Sequence, residues 1–319
     1  MPESDLGQLS TLLVYAAMAA YVVALIAFAV DLTGLRDGGR SDRSRRAVGI
    51  AMATTWLGAG FHLLGVVLRG VAAGRVPWAN MYEFSIVFTL VAVGLFLGLQ
   101  RRHDLRFLGA FVVGPALLML GVAVAVLYVR ADGVQPALNS YWLVIHVSVA
   151  TIAVGVFSVA AVLSALQLAV ERHELRALQQ REVPEQVPAG AGGAVRAPGT
   201  ATTPPTGAWQ RLARALPGST ELERLAFRLN GVGFMLWTFT VIAGAIWAEH
   251  AWGRPWGWDP KEVWSFVTWV VYAAYLHARS TRGWEGRRAA YLSLAGFGCI
   301  LANYFVVNFF FSELHGYAF

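Results

Sequence analysis

The chain has 319 residues, of which 57% are hydrophobic and 14% are charged, with a mean hydropathy of +0.54 and a formal net charge of +6. Soluble domains carry about 25% charged residues, so this deficit excludes an ordinary soluble protein and indicates an integral membrane protein. The single cysteine, Cys299, excludes a disulfide framework and any CxxC motif. Membrane topology explains the arginine surplus better than nucleic-acid binding, so no nucleic-acid partner is expected.

Eight apolar segments reach the length of roughly 20 residues that a bilayer core requires. Their apolar runs are continuous rather than alternating, which excludes the strands of a membrane barrel. We therefore predict an all-α integral membrane protein with about eight transmembrane helices. The predicted spans are 10–31, 47–69, 84–100, 105–129, 141–170, 226–249, 262–280 and 287–311. No basic residue precedes the first span, so no cleavable signal peptide is expected.

The distribution of basic residues predicts the orientation of the helices. Arginines are abundant in the segments after spans 1, 3, 5 and 7 and sparse in the segments after spans 2, 4 and 6. Short loops rich in arginine and lysine remain on the cytoplasmic side. We therefore predict that the N-terminus, the C-terminus and the loops after even-numbered spans lie outside.

One long polar segment divides the chain. Residues 172–219 include "VPEQVPAGAGGAVRAPGTATTPPTG", which is too rich in Pro, Gly and Ala to bury a core and predicts a flexible cytoplasmic linker. Helices 1–5 then occupy residues 1–171, and helices 6–8 belong to residues 220–319. Thr220 with Glu223 has the spacing of a capping box, so "ELERLAFRLN" is predicted as an interfacial helix before span 6.

Two loops that are predicted outside end in the pattern of a helix start. In "GRVPWANMYEF", Asn80 is placed to cap a helix with Glu83 three residues later. In "WGRPWGWDPKEVW", Asp259 is the expected cap, followed by Pro260 at the first helical position and Glu262 at the third. The segment "DPKE" therefore predicts the beginning of a helix.

The helix start leaves the tryptophans of the second loop unexplained. Five of the twelve tryptophans lie within eighteen residues, at Trp252, Trp256, Trp258, Trp264 and Trp269. They are open to two interpretations: an aromatic belt or partner-docking surface, and a platform on which a large flat ligand stacks. In the second, Arg254, Lys261 and the helix N-terminus at Asp259 would face carboxylates on the ligand, as the propionates of a porphyrin require.

His62 and His277 lie inside predicted spans 2 and 7. An imidazole in a membrane needs polar partners, so it is either hydrogen-bonded between helices or functional. Two imidazoles on opposite helices have the chemistry to ligate one haem iron, although His62 is nearer the outer end of its span than His277. Small residues one turn away would leave room for a macrocycle: Gly58, Ala59 and Gly65 around His62, and Ala273 and Ala274 before His277.

Two further histidines flank the tryptophan loop. His146 follows Ser140, an expected N-cap, by six residues, which places it about 9 Å into its helix. His315 lies in the tail "FSELHGYAF" after the last span, where a mobile surface residue is the alternative. Together they are candidate ligands of a second iron. His103 and His173 lie among charges and His250 in a loop, so we assign these three no role.

The segment "AWGRPWGWDPKEVWSFVTWVVYAAYLH" resembles the tryptophan-rich WWD signature of the haem-handling proteins of cytochrome c biogenesis. The chain is most similar to the System II branch, of CcsA/ResC type and called CcsB in actinobacteria. "GRVPWANMYE" resembles the second outer-loop motif of that branch, and eight spans suit it. The linker at 172–219 is the part that is not expected to match.

The resemblance implies a role for each candidate residue. His62 and His277 would bind an internal haem, and His146 and His315 would ligate an external haem. Ferrous haem b would move to the outer site and be joined through thioether bonds to the CxxCH motif of an apocytochrome c. The site residues other than histidine would be Trp252, Trp256, Trp258, Asp259, Trp264, Arg254 and Lys261.

The resemblance also implies a setting and a partner. The expected location is the bacterial plasma membrane, within the lipid bilayer, with the active site on the outer face. The chain contains no CxxCH, so the acceptor is another protein, and a ResB-type membrane protein is the expected partner in a synthase. Two alternatives stay open: a haem b electron-transfer protein, which does not require a tryptophan loop, and a haem exporter without ligation activity.

Overall fold

Long α-helices account for most of the chain in this computed structural model, which describes residues 5–36, 39–101, 104–131, 140–182, 213, 216–281 and 283–311. The helices are α1 (Asp5–Thr33), α2 (Asp42–Ala73), α3 (Met81–Leu99), α4 (Gly109–Ala125), α5 (Tyr141–Glu182), α6 (Ser219–Trp252), α7 (Pro260–Arg279), α8 (Arg287–Leu301) and α9 (Val307–Phe310). A π-turn, Ala302–Val306, makes α8 and α9 one continuous rod. The antiparallel pair of β1 (Leu35–Arg36) and β2 (Gly39–Arg40) lies between α1 and α2, and a 3₁₀ turn, Arg106–Leu108, precedes α4.

Seven helical segments among the described residues are long and apolar enough to cross a membrane. They are α1 to α6 and the rod of α8 and α9, which confirms an all-α integral membrane protein. Helix α7 has 20 residues, so at 1.5 Å per residue it measures about 30 Å, the thickness of a bilayer core. Its sequence is more polar than that of the other seven, so a crossing by α7 stays a prediction. The predicted sides of the termini also stay predictions.

The helices pack as two groups that meet along α3 and α5. In the first group α1 packs along α2 and against α4, and α3 packs on both α2 and α4. In the second group α5 packs along α6, and α7 and α8 pack on each other and on this pair. Aromatic rings form the core of the second group: Phe157 stacks on Tyr272 with ring centroids 3.9 Å apart. The packing of the two groups therefore fixes the positions of the loops at one end of the bundle, around the contact between α3 and α5.

The predicted linker is shorter than its sequence suggested. Helix α5 continues to Glu182, beyond the boundary predicted at residue 171, because "ERHELRALQQRE" consists almost entirely of strong helix formers. Glu174 on this extension accepts hydrogen bonds from the amide and hydroxyl of Ser219, 3.2 and 2.6 Å away, and so contacts the start of α6. The "VPEQVPAGAGG" part of the linker lies outside the described residues.

The capping box predicted at Thr220 is wrong. Helix α6 begins at Ser219 after Gly218, without a side-chain cap, and continues unbroken to Trp252. The predicted interfacial helix is therefore the first part of α6 rather than a separate element. Glu223 does not turn back to cap the helix because its carboxylate has other partners: it accepts from the amide of Gly286 at 3.1 Å and pairs with Arg279 at 2.6 Å.

Candidate functional site

A cavity opens where the starts of α3, α5 and α7 meet the ends of α6 and of the α8–α9 rod. Its cavity volume is about 150 Å³, and its empty space reaches about 950 Å³ when counted out to its open mouth. Most of its lining is apolar or aromatic, with a few polar groups, which is typical of a small-molecule site. The polar and aromatic lining residues are Trp78, Asn80, Phe84, His146, Trp237, Thr240, Trp247, Lys261, Ser265, Asn303, Tyr304 and Asn308.

His146 is held in one orientation at the cavity wall. Helix α5 begins at Tyr141, and the hydroxyl of Ser140 accepts from the amide of Trp142 at 3.1 Å, so the predicted N-cap is confirmed. The Nδ1 atom of His146 lies 2.9 Å from the main-chain oxygen of Thr240 on α6. A carbonyl oxygen only accepts, so Nδ1 carries the hydrogen and, in the neutral ring, Nε2 carries the lone pair. This arrangement orients the histidines that bind metals in many proteins.

The surroundings of His146 complete an aromatic wall. Trp247, 2% exposed, lies nearly parallel to the imidazole, with ring centroids 6.1 Å apart and an angle of 8° between the planes. Trp252 packs edge-on against Trp247 at 4.8 Å. Gly244 on the same helix leaves the space for the imidazole, because a Cβ atom there would lie 2.7 Å from Cε1 of His146.

The tryptophan loop, Trp252–Trp258, turns sharply between α6 and α7. Helix α6 ends at Gly253, which adopts a left-handed conformation with a φ of +69°. Trp258 has a φ of +62°, an uncommon value for a residue with a side chain, and its ring is 76% exposed. Trp252 and Trp256 line a smaller cavity that shares its wall at His146 with the first. The three tryptophans thus occupy one corner of the site, with Trp258 facing outward.

The predicted helix start at "DPKE" is confirmed. Asp259 caps α7 and accepts from the amide of Lys261 at 2.9 Å, and Pro260 is the first helical residue. The Glu262 carboxylate completes the capping box with the Asp259 amide at 3.2 Å and also accepts from Gly257 at 2.7 Å. Asp259 and Glu262 therefore fix the loop on α7 through backbone hydrogen bonds.

The remaining residues predicted in this loop differ in their positions. Lys261 lines both cavities, and its ammonium donates to the main-chain oxygen of Asn303 at 3.1 Å and to Oδ1 of Asn308 at 2.7 Å. Arg254 is exposed, and its guanidinium lies against Gly257. Trp264 is part-buried on α7 and lines neither cavity. The structure therefore brings Lys261 and two of the loop tryptophans to the His146 site.

The loop between α2 and α3 forms the opposite wall. Asn80 caps α3 through a hydrogen bond from the amide of Glu83 at 2.9 Å, which confirms the predicted helix start. Glu83 is fully buried and pairs with Arg69 at 2.9 Å and with Arg75 at 2.6 Å. Its carboxylate also accepts from the amide of Ala79 at 2.9 Å. One carboxylate therefore ties the loop before α3 to the end of α2.

Several residues of the cavity wall carried no signal as site residues in the sequence. Trp247, Asn303 and Asn308 lie on apolar helices, where nothing in the local pattern distinguishes a cavity wall from ordinary packing. In the sequence Glu83 carries only the signal of a helix cap. The buried charge of Arg69 could have been suspected, because it lies at the end of an apolar span, five residues before Gly74, where the loop begins.

The two histidines predicted inside the membrane lie far apart in the packing. His62 is fully buried on α2, with Nδ1 3.3 Å from the hydroxyl of Tyr21 on α1. His277 is exposed near the end of α7, which packs on α6 and α8. Counted from the cavity end of each helix, they lie about 16 Å and about 26 Å deep at 1.5 Å per residue. No extended contact joins α2 and α7 among the described helices.

The small residues around His62 serve helix packing instead of leaving space. A Cβ atom at Gly58 would lie 2.6 Å from the ring of Tyr21, and one at Gly65 would lie 3.2 Å from the main-chain oxygen of Ser10. Glycines of this kind let two membrane helices approach closely. The expectation that they leave room for a macrocycle beside His62 is therefore wrong for Gly58 and Gly65, because α1 fills the space.

His315 belongs to the chain beyond Phe311 and lies outside the described residues, as does His103. His250 is exposed, with Nδ1 2.7 Å from the oxygen of Ile246 on its own helix. Of the predicted site histidines, the described structure thus places His146 alone in the cavity. Within the described residues, no group of three His, Cys, Asp or Glu side chains could hold a bare metal ion.

The sequence model of the family of cytochrome C assembly proteins matches residues 78–315, from the loop before α3 to the tail. The chain belongs to this family. Cytochrome c biogenesis protein CcsA of Synechococcus sp. (strain CC9902) is 34% identical over 307 residues, covering 94% of each chain. CcsA of Porphyra purpurea is 34% identical over 263 residues, covering 78% of this chain and 81% of its own. The resemblance to the CcsA/ResC type is thereby confirmed for this cytochrome c assembly protein.

A solved structure shares the fold of this assembly protein. Cytochrome c Heme Lyase CcmF superposes with a TM-score of 0.61 and 18% identity. The match covers 95% of this chain and 47% of CcmF, so the chain spans about half the length of that protein. The family match begins at Trp78, so the tryptophan loop, His146, His277 and His315 lie inside the matched region and His62 lies before it.

Proposed function

We propose that this cytochrome c assembly protein binds haem in the cavity at His146 and presents it for covalent attachment to an apocytochrome c. The observation that carries the proposal is the geometry of His146. Its Nδ1–H is committed to the Thr240 carbonyl, so the lone pair of Nε2 is the group that a haem iron would meet. An orientation that the fold already provides costs nothing at the moment of binding.

The walls of the cavity suit a porphyrin. Trp247, Trp252 and Trp256 supply flat apolar surface on the side of His146, and Trp78 does so on the other loop. Lys261 supplies a cation for a propionate. The cavity volume of about 150 Å³ is below the roughly 300–1,000 Å³ typical of ligand sites, so the porphyrin would extend through the open mouth. Arg254, exposed at this end, is a second candidate partner for a propionate.

We propose His315 as the second axial ligand. Seven residues separate it from Asn308 at the cavity wall, and an extended chain of that length spans at most about 25 Å. His315 is therefore within reach of the face opposite His146. Trp264 on α7 and Asp259, the N-cap of α7, remain proposed haem-site residues. Asp259 would act by fixing the conformation of the tryptophan loop.

The proposed reaction adds two cysteine thiols of a CxxCH motif across the two vinyl groups of ferrous haem b. Each C=C bond takes one sulfur and one hydrogen and becomes a thioether, so no oxidant or reductant is consumed. The chain's contribution would be orientation: it holds the porphyrin so that its vinyl edge faces the incoming thiols. The protein partner that brings the apocytochrome is proposed to be of ResB type, and the cavity end of the bundle is proposed to face outward from the plasma membrane.

His62 and His277 remain the proposed ligands of an inner haem. Because α1 packs on His62 and His277 is exposed on another helix, binding of one haem by both would require α2 and α7 to approach each other. An inner site at His277 alone, facing lipid, would need no such movement. Single alanine variants at the two positions distinguish these cases by whether both or one of them lowers the haem content.

The test of the proposed function is maturation in a host that lacks its own system. The chain is co-expressed with a ResB-type protein and an apocytochrome c, and covalent cytochrome is measured by haem staining of denatured protein. We expect maturation with the wild-type chain and its loss in His146→Ala and His315→Ala, with partial recovery on added imidazole. His250→Ala is the matched control, since its ring is exposed at the same end of the bundle.

The outcome separates the rival functions. Normal maturation in both His146→Ala and His315→Ala would refute the outer assignment. Haem bound to the purified wild-type chain without any covalent cytochrome would favour electron transfer or export over ligation. Oxidised and reduced absorption spectra of the purified chain and its histidine variants provide the binding measurement.

A further inference from the structure

The last helical rod contains a π-turn at the cavity wall. Over Ala302–Val306 the amide of Val307 donates to the carbonyl of Ala302, five residues earlier, instead of to that of Asn303. The carbonyl of Asn303 thereby loses its α-helical donor. Single π-turns within helices occur frequently at functional sites, because they expose main-chain groups that an α-helix would use internally.

Side chains contact two carbonyls of the π-turn. The ammonium of Lys261 donates to the main-chain oxygen of Asn303 at 3.1 Å, and the side-chain amide of Asn308 donates to the main-chain oxygen of Tyr304 at 2.7 Å. Asn308 also accepts from Lys261 through Oδ1 at 2.7 Å. Lys261 is therefore held by the carbonyl that the π-turn leaves without its α-helical donor and by a side chain that is itself bonded to the turn.

The same turn is anchored on both neighbouring helices. The side-chain amide of Asn303 donates to the hydroxyl of Ser265 at 3.0 Å, and that hydroxyl donates to the main-chain carbonyl of Lys261 at 2.7 Å. On the other side the hydroxyl of Tyr304 donates to the carbonyl of Met81 at 2.8 Å, at the start of α3. The π-turn thus joins α7 to α3 across the floor of the cavity.

This network presents one donor and one acceptor at the cavity wall. An ammonium has three N–H groups, and the structure gives two of those on Lys261 protein acceptors. The Oδ1 atom of Asn303 is buried and has no hydrogen-bond partner among the described residues. Buried polar groups are almost always paired, so an unpaired acceptor beside a cation on a cavity wall indicates a place for a ligand or water.

We propose that the π-turn is a positioning device that fixes Lys261 for one carboxylate of the ligand, with Asn303 and Asn308 as its positioning residues. This inference rests on the proposed function, because it concerns the ligand of the same cavity. The carboxylate would accept from Lys261, and a water bridging to the carboxylate would donate to Oδ1 of Asn303. The turn would therefore select porphyrins that keep their acid groups.

The experiment compares two porphyrins that differ only in those groups: iron protoporphyrin IX and its dimethyl ester. Each is titrated into the purified full-length chain, and binding is followed through the Soret band and quenching of tryptophan fluorescence. We expect the wild type to bind the diacid about tenfold more tightly than the diester. Lys261→Met and Asn308→Leu should each lower this ratio severalfold.

A second variant covers the case in which Asn308→Leu fails to fold. Asn308→Asp keeps the shape and the acceptor, and it adds a negative charge that neutralises Lys261, so it should also lower the preference for the diacid. Asn230→Leu is the control. Asn230 is a buried asparagine outside the cavity wall, and its side-chain amide donates to the hydroxyl of Ser293 at 2.9 Å. It should retain the wild-type ratio.

The failure of this inference is distinct from the failure of the proposed function. Equal affinity of the wild type for diacid and diester, or a retained preference in Asn308→Asp, would overturn the role of the π-turn and leave haem binding intact. Absence of binding for both porphyrins would overturn the proposed function itself.

Discussion

Gly244 and His146 fit together at the seam between α5 and α6: a Cβ atom on Gly244 would lie 2.7 Å from Cε1 and 3.0 Å from Nδ1 of the imidazole. The absence of a side chain at this one position lets the ring reach the carbonyl of Thr240. The orientation of the proposed iron ligand therefore depends on a position that carries no side chain.

Gly244→Ala should displace the imidazole and weaken haem binding. Alanine is the better helix former by roughly 0.5–1 kcal/mol, so any loss of stability must come from the clash with His146. We expect a haem spectrum that approaches that of His146→Ala. Gly231→Ala on the same helix is the control, because nothing lies within 4 Å of its Cβ position. An unaltered spectrum in Gly244→Ala would show that the ring needs no such space.

Glu83→Gln should lower the thermal stability of the chain measurably. It leaves Arg69 buried without its full counter-charge, and breaking a buried pair from one side typically costs about 3–5 kcal/mol. Unfolding in detergent, followed by tryptophan fluorescence, measures the change. Asp42→Asn removes the ion pair with Arg45, whose side chains are 82% and 68% exposed, and should change little. Equal effects of the two substitutions would argue against a structural role for Glu83.

Trp247 and Trp258 should separate stability from function. Trp247→Ala removes a buried ring and should cost roughly 3–5 kcal/mol in the free energy of unfolding. Trp258→Ala removes a ring that is 76% exposed, so the melting temperature should stay near that of the wild type while maturation falls. Measuring both quantities for both variants is the check, and normal maturation in Trp258→Ala would remove that ring from the proposed platform.

Asp259→Asn should leave the chain close to the wild type in both stability and haem content. Asparagine caps helices about as well as aspartate, and the observed role of Asp259 is to cap α7. Asp259→Ala should lose about 0.5–2 kcal/mol. Loss of haem in Asp259→Asn at an unchanged melting temperature would mean that the negative charge itself takes part in binding.

Gly58→Ala should disturb the packing of α1 on α2 around His62. The added Cβ atom would lie 2.6 Å from the ring of Tyr21, whereas Gly60→Ala meets nothing within 4 Å and serves as the control. We expect a lower melting temperature for Gly58→Ala alone. Equal melting temperatures would indicate that α1 does not pack on α2 so closely, and would restore the possibility of ligand space at His62.

The sequence was most informative where a local rule determines a local structure. Apolar runs predicted the long helices, and Asn80 and Asp259 capped the helices that their spacing predicted. Prediction from sequence failed where contacts with distant elements determine the role of a residue. A glycine at position 58 is consistent both with space for a ligand and with close helix packing, and only the position of Tyr21 distinguishes the two. Asn303 and Asn308 lie in an apolar helical rod. Their contacts with Lys261 are made at a π-turn that no residue pattern predicts.

Helix α7 carries Lys261 and Glu262 in its first turn, and it is too polar to belong to the seven apolar segments. Such a segment partitions poorly into lipid alone, so we expect it to enter the bilayer paired with α6 or with the α8–α9 rod. Lys261 finds its acceptors on the rod, which the ribosome makes after α7. The order of synthesis therefore delays the completion of the cavity until the rod has docked, so an interrupted chain would not assemble the site.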